Sequence, residues 1–163
     1  MKALISVLIP SYKRIDTLDY LLKTIPCDKE IEVILHSDNG PNWDKIEEIC
    51  RNNLNRGLNL NYKNNCETLG LDQNIISLIK AAKGDFIVFM GDDDYFLDNS
   101  FNELKETLNY CKDKNIKSIL RAYKATLRNT DKLETYRYYK ENYIIEKGIN
   151  SASWIFKRSV SLA

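Results

Sequence analysis

Residues 3 to 9, ALISVLI, form an apolar run rich in β-branched side chains that stops at Pro10. A run of this length without polar alternation reads as a strand buried on both faces, the pattern of a parallel central strand. Such a strand needs a layer above it and a layer below it. The rest of the chain supplies them. Leu18, Leu21, Leu22 and Ile25 recur at helical spacing with Pro26 just beyond, which predicts an amphipathic helix. Ile31 to Leu35 gives a second strand, followed by the polar turn His36-Ser37-Asp38-Asn39-Gly40-Pro41, and Asp44 with Glu47 opens a helix through about Asn52.

The alternation continues. A weaker strand falls near Leu58 to Lys63, and Leu71, Ile75, Leu78, Ile79 and Ala82 mark one face of a helix ending at Gly84. Phe86 to Met90 is the next strand. Ser100 and Glu103 have capping-box spacing ahead of a stripe of Phe101, Leu104, Leu108 and Cys111. A further strand is expected at about Ser118 to Ala125, then β-prone, tyrosine-rich segments at about 132–138 and 143–146, and Ser153 to Lys157 as antiparallel or mixed additions. The fold class is therefore α/β: a mainly parallel, Rossmann-like sheet with helices on both faces and a small antiparallel addition near the C-terminus. Tyr136, Tyr138, Tyr139 and Tyr143 suit stacking on a sugar ring, but amphipathic packing against the sheet is the reading adopted.

Composition removes several function classes. The 163 residues suffice for one core, and 24 Lys plus Arg nearly balance 23 Asp plus Glu without a dense basic run, so no nucleic-acid partner is expected. The cysteines Cys27, Cys50, Cys66 and Cys111 contain no C-x-x-C pair and His36 is the only histidine, which disfavours a zinc site or disulfide framework. No apolar run reaches membrane-span length, and the strand pattern begins almost at once. The expectation is a soluble, cytoplasmic protein.

The chemistry concentrates in three loops predicted at the carboxyl edge of the sheet: Pro10-Ser11-Tyr12-Lys13-Arg14, Ser37-Asp38-Asn39-Gly40, and Gly91-Asp92-Asp93-Asp94. The triplet Asp92, Asp93 and Asp94 follows the strand in GDFIVFMGDDDYF. Carboxylates this close repel unless donors or a divalent cation compensate, and oxygen ligation suits Mg2+ or Mn2+. A solvated turn leading into a helix is the plain alternative. A hydroxyl, an aromatic ring and an arginine suit a nucleotide, an aspartate accepts hydrogen bonds from a base or ribose, and a bound metal bridges a diphosphate. Neither G-x-x-x-x-G-K-[ST] nor G-x-G-x-x-G is present, so a P-loop or dinucleotide enzyme is not supported. Strand termination and packing compete as roles for Pro10 and Tyr12, and a solvated helix start competes for Arg14.

Taken together, ISVLIPSYKR, VILHSDNG, LGLDQNIISLIKAAKGDFIVFMGDDD and NSASWIFKRS resemble, in that order, the family 2 inverting glycosyltransferases of GT-A fold. The LGxDxN and GDDD segments look most like bacterial surface-polysaccharide enzymes, abequosyltransferase-like members among them. The resemblance implies that Pro10, Ser11 and Tyr12 line a nucleotide pocket with Arg14 beside them, that Asp38 faces the base, and that Asp72 and Asn74 border the donor site. It further implies that Asp92 approaches the ribose or diphosphate, that Asp93 is the principal metal ligand, and that Asp94 coordinates the ion or orients its ligands. Mn2+ or Mg2+ would be the cofactor, a nucleoside-diphosphate sugar the donor, and a saccharide or lipid-linked saccharide the acceptor. Peripheral attachment at the inner membrane face and homo-oligomerisation are compatible with this reading.

The implied organisation is one GT-A domain over 1–163, with a donor-binding core at 1–125 and the start of an acceptor half at 126–163. In the family the catalytic base follows the segment resembling NSASWIFKRS, and the sequence ends at Ala163. The chain therefore reads as shortened on the acceptor side. Glu134, Glu141 and Glu146 lie outside the motif and read as surface residues, so no base is assigned. An inert nucleotide-sugar-binding module is the runner-up, and an Mg2+-dependent phosphoryl-transfer enzyme the third reading.

Overall fold

The structure, a computed structural model, describes residues 2–96 and 99–115, together with the backbone of strand segments 120–121, 124–127, 133–137 and 154–157. Its elements follow the order β1 (Ile5–Ser11), α1 (Leu18–Thr24), β2 (Ile31–Ser37), α2 (Trp43–Asn55), β3 (Leu60–Asn64), α3 (Leu71–Ala81), β4 (Phe86–Phe89), α4 (Ser100–Asp113), β5 (Leu120–Arg121), β6 (Lys124–Leu127), β7 (Leu133–Arg137) and β8 (Trp154–Lys157). Among the described residues the main sheet runs β3-β2-β1-β4-β8-β5, and β6-β7 form a separate antiparallel pair. The β1–β4 strands pair in parallel, whereas β8 pairs antiparallel with β4 and β5.

β1 is the central strand that its composition requires. Successive side chains point to opposite faces, so Ile5, Val7 and Ile9 enter one core with Leu18, Leu21 and Leu22 of α1, Ile46 and Cys50 of α2, and the α4 stripe Phe101, Leu104, Leu108 and Cys111. Leu8 enters the other with Ile34, Ile87, Leu78 and Ala82. The first three helices named thus cover one face and α3 covers the other. At the amino edge Glu32 Oε1 accepts hydrogen bonds from Ser6 Oγ at 2.5 Å, Lys83 N at 2.5 Å and Gly84 N at 2.9 Å, tying the end of α3 to the sheet.

Several local expectations change in three dimensions. Pro10 does not stop β1, which continues to Ser11. Leu8 O accepts from Met90 N while Ser11 O accepts from Asp38 N, so the backbone of residue 10 faces β4. The last β1–β4 pair is Leu8 with Phe89, and the missing proline N–H therefore falls where no ladder partner is required. His36 and Ser37, expected in a turn, complete β2 opposite Pro10 and Ser11. Leu71 leaves the buried stripe, being 64% exposed at the first residue of α3. The Ser100–Glu103 capping box does not form. Asn99 is the N-cap, in the left-handed region at φ 66°, without a side-chain cap bond. Ser100 already lies inside the helix, and its buried Oγ has no hydrogen-bond partner among the described residues.

The expected strand at 118–125 is represented by β5 and β6, which belong to different sheets. Segment 143–146 lies outside the described residues, as do the side chains of Tyr136, Tyr138, Tyr139, Tyr143, Glu134, Glu141 and Glu146. Among the described residues no two cysteines form a disulfide, and no helix is long and apolar enough to cross a membrane.

His36 is buried at the end of β2, with Nδ1 at 3.2 Å from Ser77 Oγ of α3. Burial, and secondarily the charge of Lys63, push its pKa from 6.5 down to about 4. Between those values the unfolded chain takes up a proton that the folded protein does not, so stability is full above the unfolded value and declines as pH falls. The shift corresponds to roughly 2–3 kcal/mol by about pH 4. Urea unfolding should show a falling midpoint from about pH 7 to about pH 5. His36→Gln, which removes the only histidine, should flatten that profile, and an unchanged slope would assign the loss to other groups.

Candidate functional site

Parallel pairing brings the carboxyl ends of β1, β2 and β4 to one edge, and the segments leaving them lock together. Asp38 N donates to Ser11 O at 2.8 Å, and Asn42 Nδ2 donates to Lys13 O at 2.7 Å. A Cβ on Gly40 would stand 1.4 Å from Tyr12 O, so only glycine permits this approach of the 38–41 turn to the β1 exit. The β4 exit turns sharply, with Asp94 N donating to Gly91 O at 3.1 Å. Downstream, Tyr95 packs edge-on against Tyr20 of α1 and Phe96 N donates to Thr24 Oγ1 at 3.2 Å. The acidic triplet is thereby held between the sheet and α1.

These segments line a cleft of about 540 Å³ formed by Pro10, Ser11, Tyr12, Lys13, Arg14, Asp38, Thr68, Gly70, Leu71, Asn74 and Asp92. The three loops read from the sequence thus converge. A groove of about 480 Å³ between α1 and α2 includes Asp16, Asp19 and Glu48 along with Lys23, Lys45 and Arg56. Its charges offset one another, and it lacks the buried carboxylates of the sheet-edge cleft.

Asp38 is buried and anchors one wall. Its Oδ1 accepts from Asn65 Nδ2 at 3.0 Å and Leu69 N at 2.8 Å, and its Oδ2 accepts from Gly70 N at 2.8 Å. Burial is the largest single influence on its pKa and acts upward. Together the bonds from Leu69 N–H, the Asn65 amide and Gly70 N–H outweigh it, holding the carboxyl below its ordinary value. Asn65 Nδ2 also reaches Asn74 Oδ1 at 3.0 Å, and Asn74 Nδ2 donates to His36 O at 3.0 Å. This network positions residues 65–70 and the start of α3, where Gly70 adopts φ 81°.

Asp92 anchors the opposite wall. Ser11 Oγ donates to its Oδ2 at 3.0 Å, and Thr17 Oγ1 donates to its carbonyl oxygen at 2.7 Å. Arg14 Nη1 lies 3.2 Å from Asp92 Oδ1 and 2.7 Å from Asp93 Oδ2. The Asp93 side chain is half-exposed, and a Cβ added at Gly91 would meet Asp93 Oδ1 and Asp94 Oδ2, so both carboxylates turn back over that glycine. Two carboxylates already share one cationic nitrogen, and their oxygen donors suit Mg2+ or Mn2+. Magnesium characteristically takes one or two carboxylates and completes its shell with phosphate oxygens and water. Among the described residues no three His, Cys, Asp or Glu side chains converge as a self-sufficient metal cluster.

The structure brings Pro10, Ser11, Tyr12, Arg14, Asp38, Asn74 and Asp92 to the cleft, with Asp93 joined through Arg14. Asp72 is exposed in the first turn of α3 and is not a lining residue. Sequence reading placed Lys13 in the converging β1 loop without a role of its own, and omitted Thr68, Gly70 and Leu71 from the wall and Thr17 and Asn65 from its support. Of these, Gly70 carried a usable signal, since a glycine ahead of a helix accommodates positive φ. The bonds of Thr17 and Asn65 arise only through tertiary approach.

Replacing Asp38 by Asn removes at least one of three accepted hydrogen bonds, because its amide nitrogen is a donor. The expected cost is about 1–3 kcal/mol, measured by urea unfolding, with faster amide exchange at Leu69 and Gly70. The native carboxylate's contribution is present above its ordinary pKa of 3.8 and is lost as pH falls through the lower folded value. Unchanged exchange at Leu69 and Gly70 would refute the anchoring role.

The model of the family described as Glycosyl transferase family 2 matches residues 6–160. The abequosyltransferase RfbV of Salmonella typhimurium is 32% identical over 111 residues, covering 64% of this chain and 32% of that protein. The chain thus spans about a third of the length of that curated relative. Among solved structures, S. aureus TarS 1–349 superposes with a TM-score of 0.67 at 22% identity, covering 97% of this chain and 47% of that one. TarS 1–349 is also known in complex with UDP-GlcNAc, at a TM-score of 0.66 and 21% identity over 97% of this chain and 46% of that one. The mannosyltransferase PcManGT from Pyrobaculum calidifontis, in complex with GDP-Man and Mn2+, superposes at 0.55 with 15% identity, covering 64% of this chain and 32% of that one. At these identities the structural likenesses establish the α/β glycosyltransferase-like fold.

Proposed function

Because this chain belongs to glycosyl transferase family 2, we propose that its sheet-edge cleft binds a nucleoside-diphosphate sugar. The sugar would pass to an acceptor hydroxyl with inversion, in bacterial surface-polysaccharide synthesis. The observation carrying this reading is the joining of Asp38, Asp92, Tyr12 and Arg14 around one cleft. Tyr12 offers a ring to a base, the buried aspartates offer acceptors, and Lys13 and Arg14 offer positive charge to a diphosphate. The ligands of the TarS and PcManGT complexes, UDP-GlcNAc and GDP-Man, support a donor of this class.

In this reading Pro10, Ser11 and Tyr12 shape the nucleotide wall and Asp38 presents its carboxylate toward the base. Asn74 steadies Asp38 through Asn65, and Asp72 stands at the rim. Asp92, Asp93 and Asp94 would hold Mn2+ or Mg2+, which when bound neutralises charge developing on the departing diphosphate. Ser11 and Thr17 keep Asp92 aimed before ligand arrives, so less ordering is required on binding. Transfer also requires a carboxylate to take the acceptor's proton as the new C–O bond forms, and no residue is assigned to that task. The proposed acceptor is a saccharide or lipid-linked saccharide. We assign donor binding to residues 1–125 and the beginning of an acceptor-binding half to 126–163. The proposed location is cytoplasmic, a setting with which peripheral attachment at the inner membrane face is compatible.

Titration calorimetry with UDP, GDP, CDP and dTDP, with and without Mn2+, tests the site. Asp93→Ala should lose about 10- to 100-fold of the metal-dependent affinity, and equal binding by the two proteins would overturn the metal assignment. A matching panel of nucleotide sugars separates the activities. Transfer supports the enzyme, binding without turnover supports an inert donor-binding module, and release of inorganic phosphate supports a phosphoryl-transfer enzyme.

A further inference from the structure

Resting on that reading of the cleft, we propose that Arg14 is a built-in counter-cation. It occupies the cation position between Asp92 and Asp93 until a diphosphate draws it away, so that metal and diphosphate enter as a coupled pair. The geometry is unusual for an arginine. A guanidinium grips carboxylates most firmly as a fork, with two nitrogens on two oxygens. Here one nitrogen, Nη1, serves two different carboxylates, at 3.2 Å from Asp92 Oδ1 and 2.7 Å from Asp93 Oδ2. Such a grip neutralises both acids while remaining easy to exchange, and the Arg14 side chain is 55% exposed, which weakens it further.

The surroundings are arranged for a swing of this side chain alone. Asp92 is held from below by Ser11 Oγ and by Thr17 Oγ1, leaving Oδ1 directed at Arg14. The backbone beside Arg14 is tied down by Asn42 Nδ2 on Lys13 O. Arg14 itself lines the cleft next to Lys13, so an anionic ligand there offers it a new partner within reach of its flexible stem. A divalent ion bound to Asp92 and Asp93 would stand against the guanidinium at contact distance and be repelled by it. Without a diphosphate, the metal must displace Arg14 into water. With a diphosphate present, the displaced guanidinium gains a doubly oxygenated anion and the penalty becomes a gain. The two ligands therefore favour one another, and reciprocally so.

Mn2+ titrations followed by the loss of the free-ion EPR signal test this, on the native chain, Arg14→Gln and Arg14→Lys. Each is titrated alone and with UDP or GDP, against protein-free Mn2+–diphosphate controls. Arg14→Gln should bind Mn2+ alone about tenfold more tightly than the native protein, and its enhancement by diphosphate should shrink by about the same factor. Arg14→Lys, which keeps the charge, should stay close to native. A merely structural role for Arg14 predicts unchanged or weaker Mn2+ binding in Arg14→Gln, and that result overturns the proposal. If native protein binds Mn2+ through Asp93 while Arg14→Gln shows no gain, the metal reading stands and the counter-cation role falls. If no protein binds Mn2+ with or without diphosphate, the metal reading falls and takes this proposal with it.

Discussion

The parallel pairing of β1 with both β2 and β4 is the constraint from which the site follows. Antiparallel neighbours would send alternate loops to opposite edges. Parallel neighbours send the exits of β1, β2 and β4 to the same edge, at the depth set by the registers Ser11 with Ser37 and Leu8 with Phe89. That pairing is possible because β1 has no polar face to expose, and because helices cover it on both sides. The core therefore does more than stabilise the chain, since it dictates where the polar loops must meet.

Placing carboxylates at that meeting point carries a desolvation cost, which Asp38 and Asp92 offset differently. Asp38 is satisfied largely by backbone and amide donors, fixed dipoles that hold the 65–70 segment in place. Asp92 is satisfied by a hydroxyl and by a side-chain cation. An arrangement of fixed dipoles is rigid, whereas a long cationic side chain can leave. One wall of the cleft is thus held by fixed dipoles, and the other partly by a half-exposed cationic side chain.

Much of the fold was legible because its signals are short-range and periodic. Leu18, Leu21, Leu22 and Ile25 are all buried as their spacing requires, and so are Phe101, Leu104, Leu108 and Cys111. The misread positions share a cause. Pro10 ends a strand only where its missing N–H would face a partner, and the β4 ladder has already finished there. Ser100 has the right spacing to Glu103 but stands one residue inside the helix, because Asn99 takes the left-handed cap. Leu71 fits the stripe by number, yet it opens α3 at the cleft rim, beyond the packed core. In each case sequence spacing was satisfied while the neighbour that gives it meaning was absent.

Of the candidate site, the residue types and their loops were determined by sequence alone: apolar strands ending in Pro10-Ser11-Tyr12, in Asp38 and in the 92–94 triplet. The tertiary structure decided which carboxylate has which partner. Ser11 reaches Asp92 across 81 positions, and Asn65 and Leu69 reach Asp38 across 27 and 31. Hydrogen bonds act over about 3 Å, so pairings between distant residues carry no local signature. They exist only once the two-faced core has fixed the strand ends side by side.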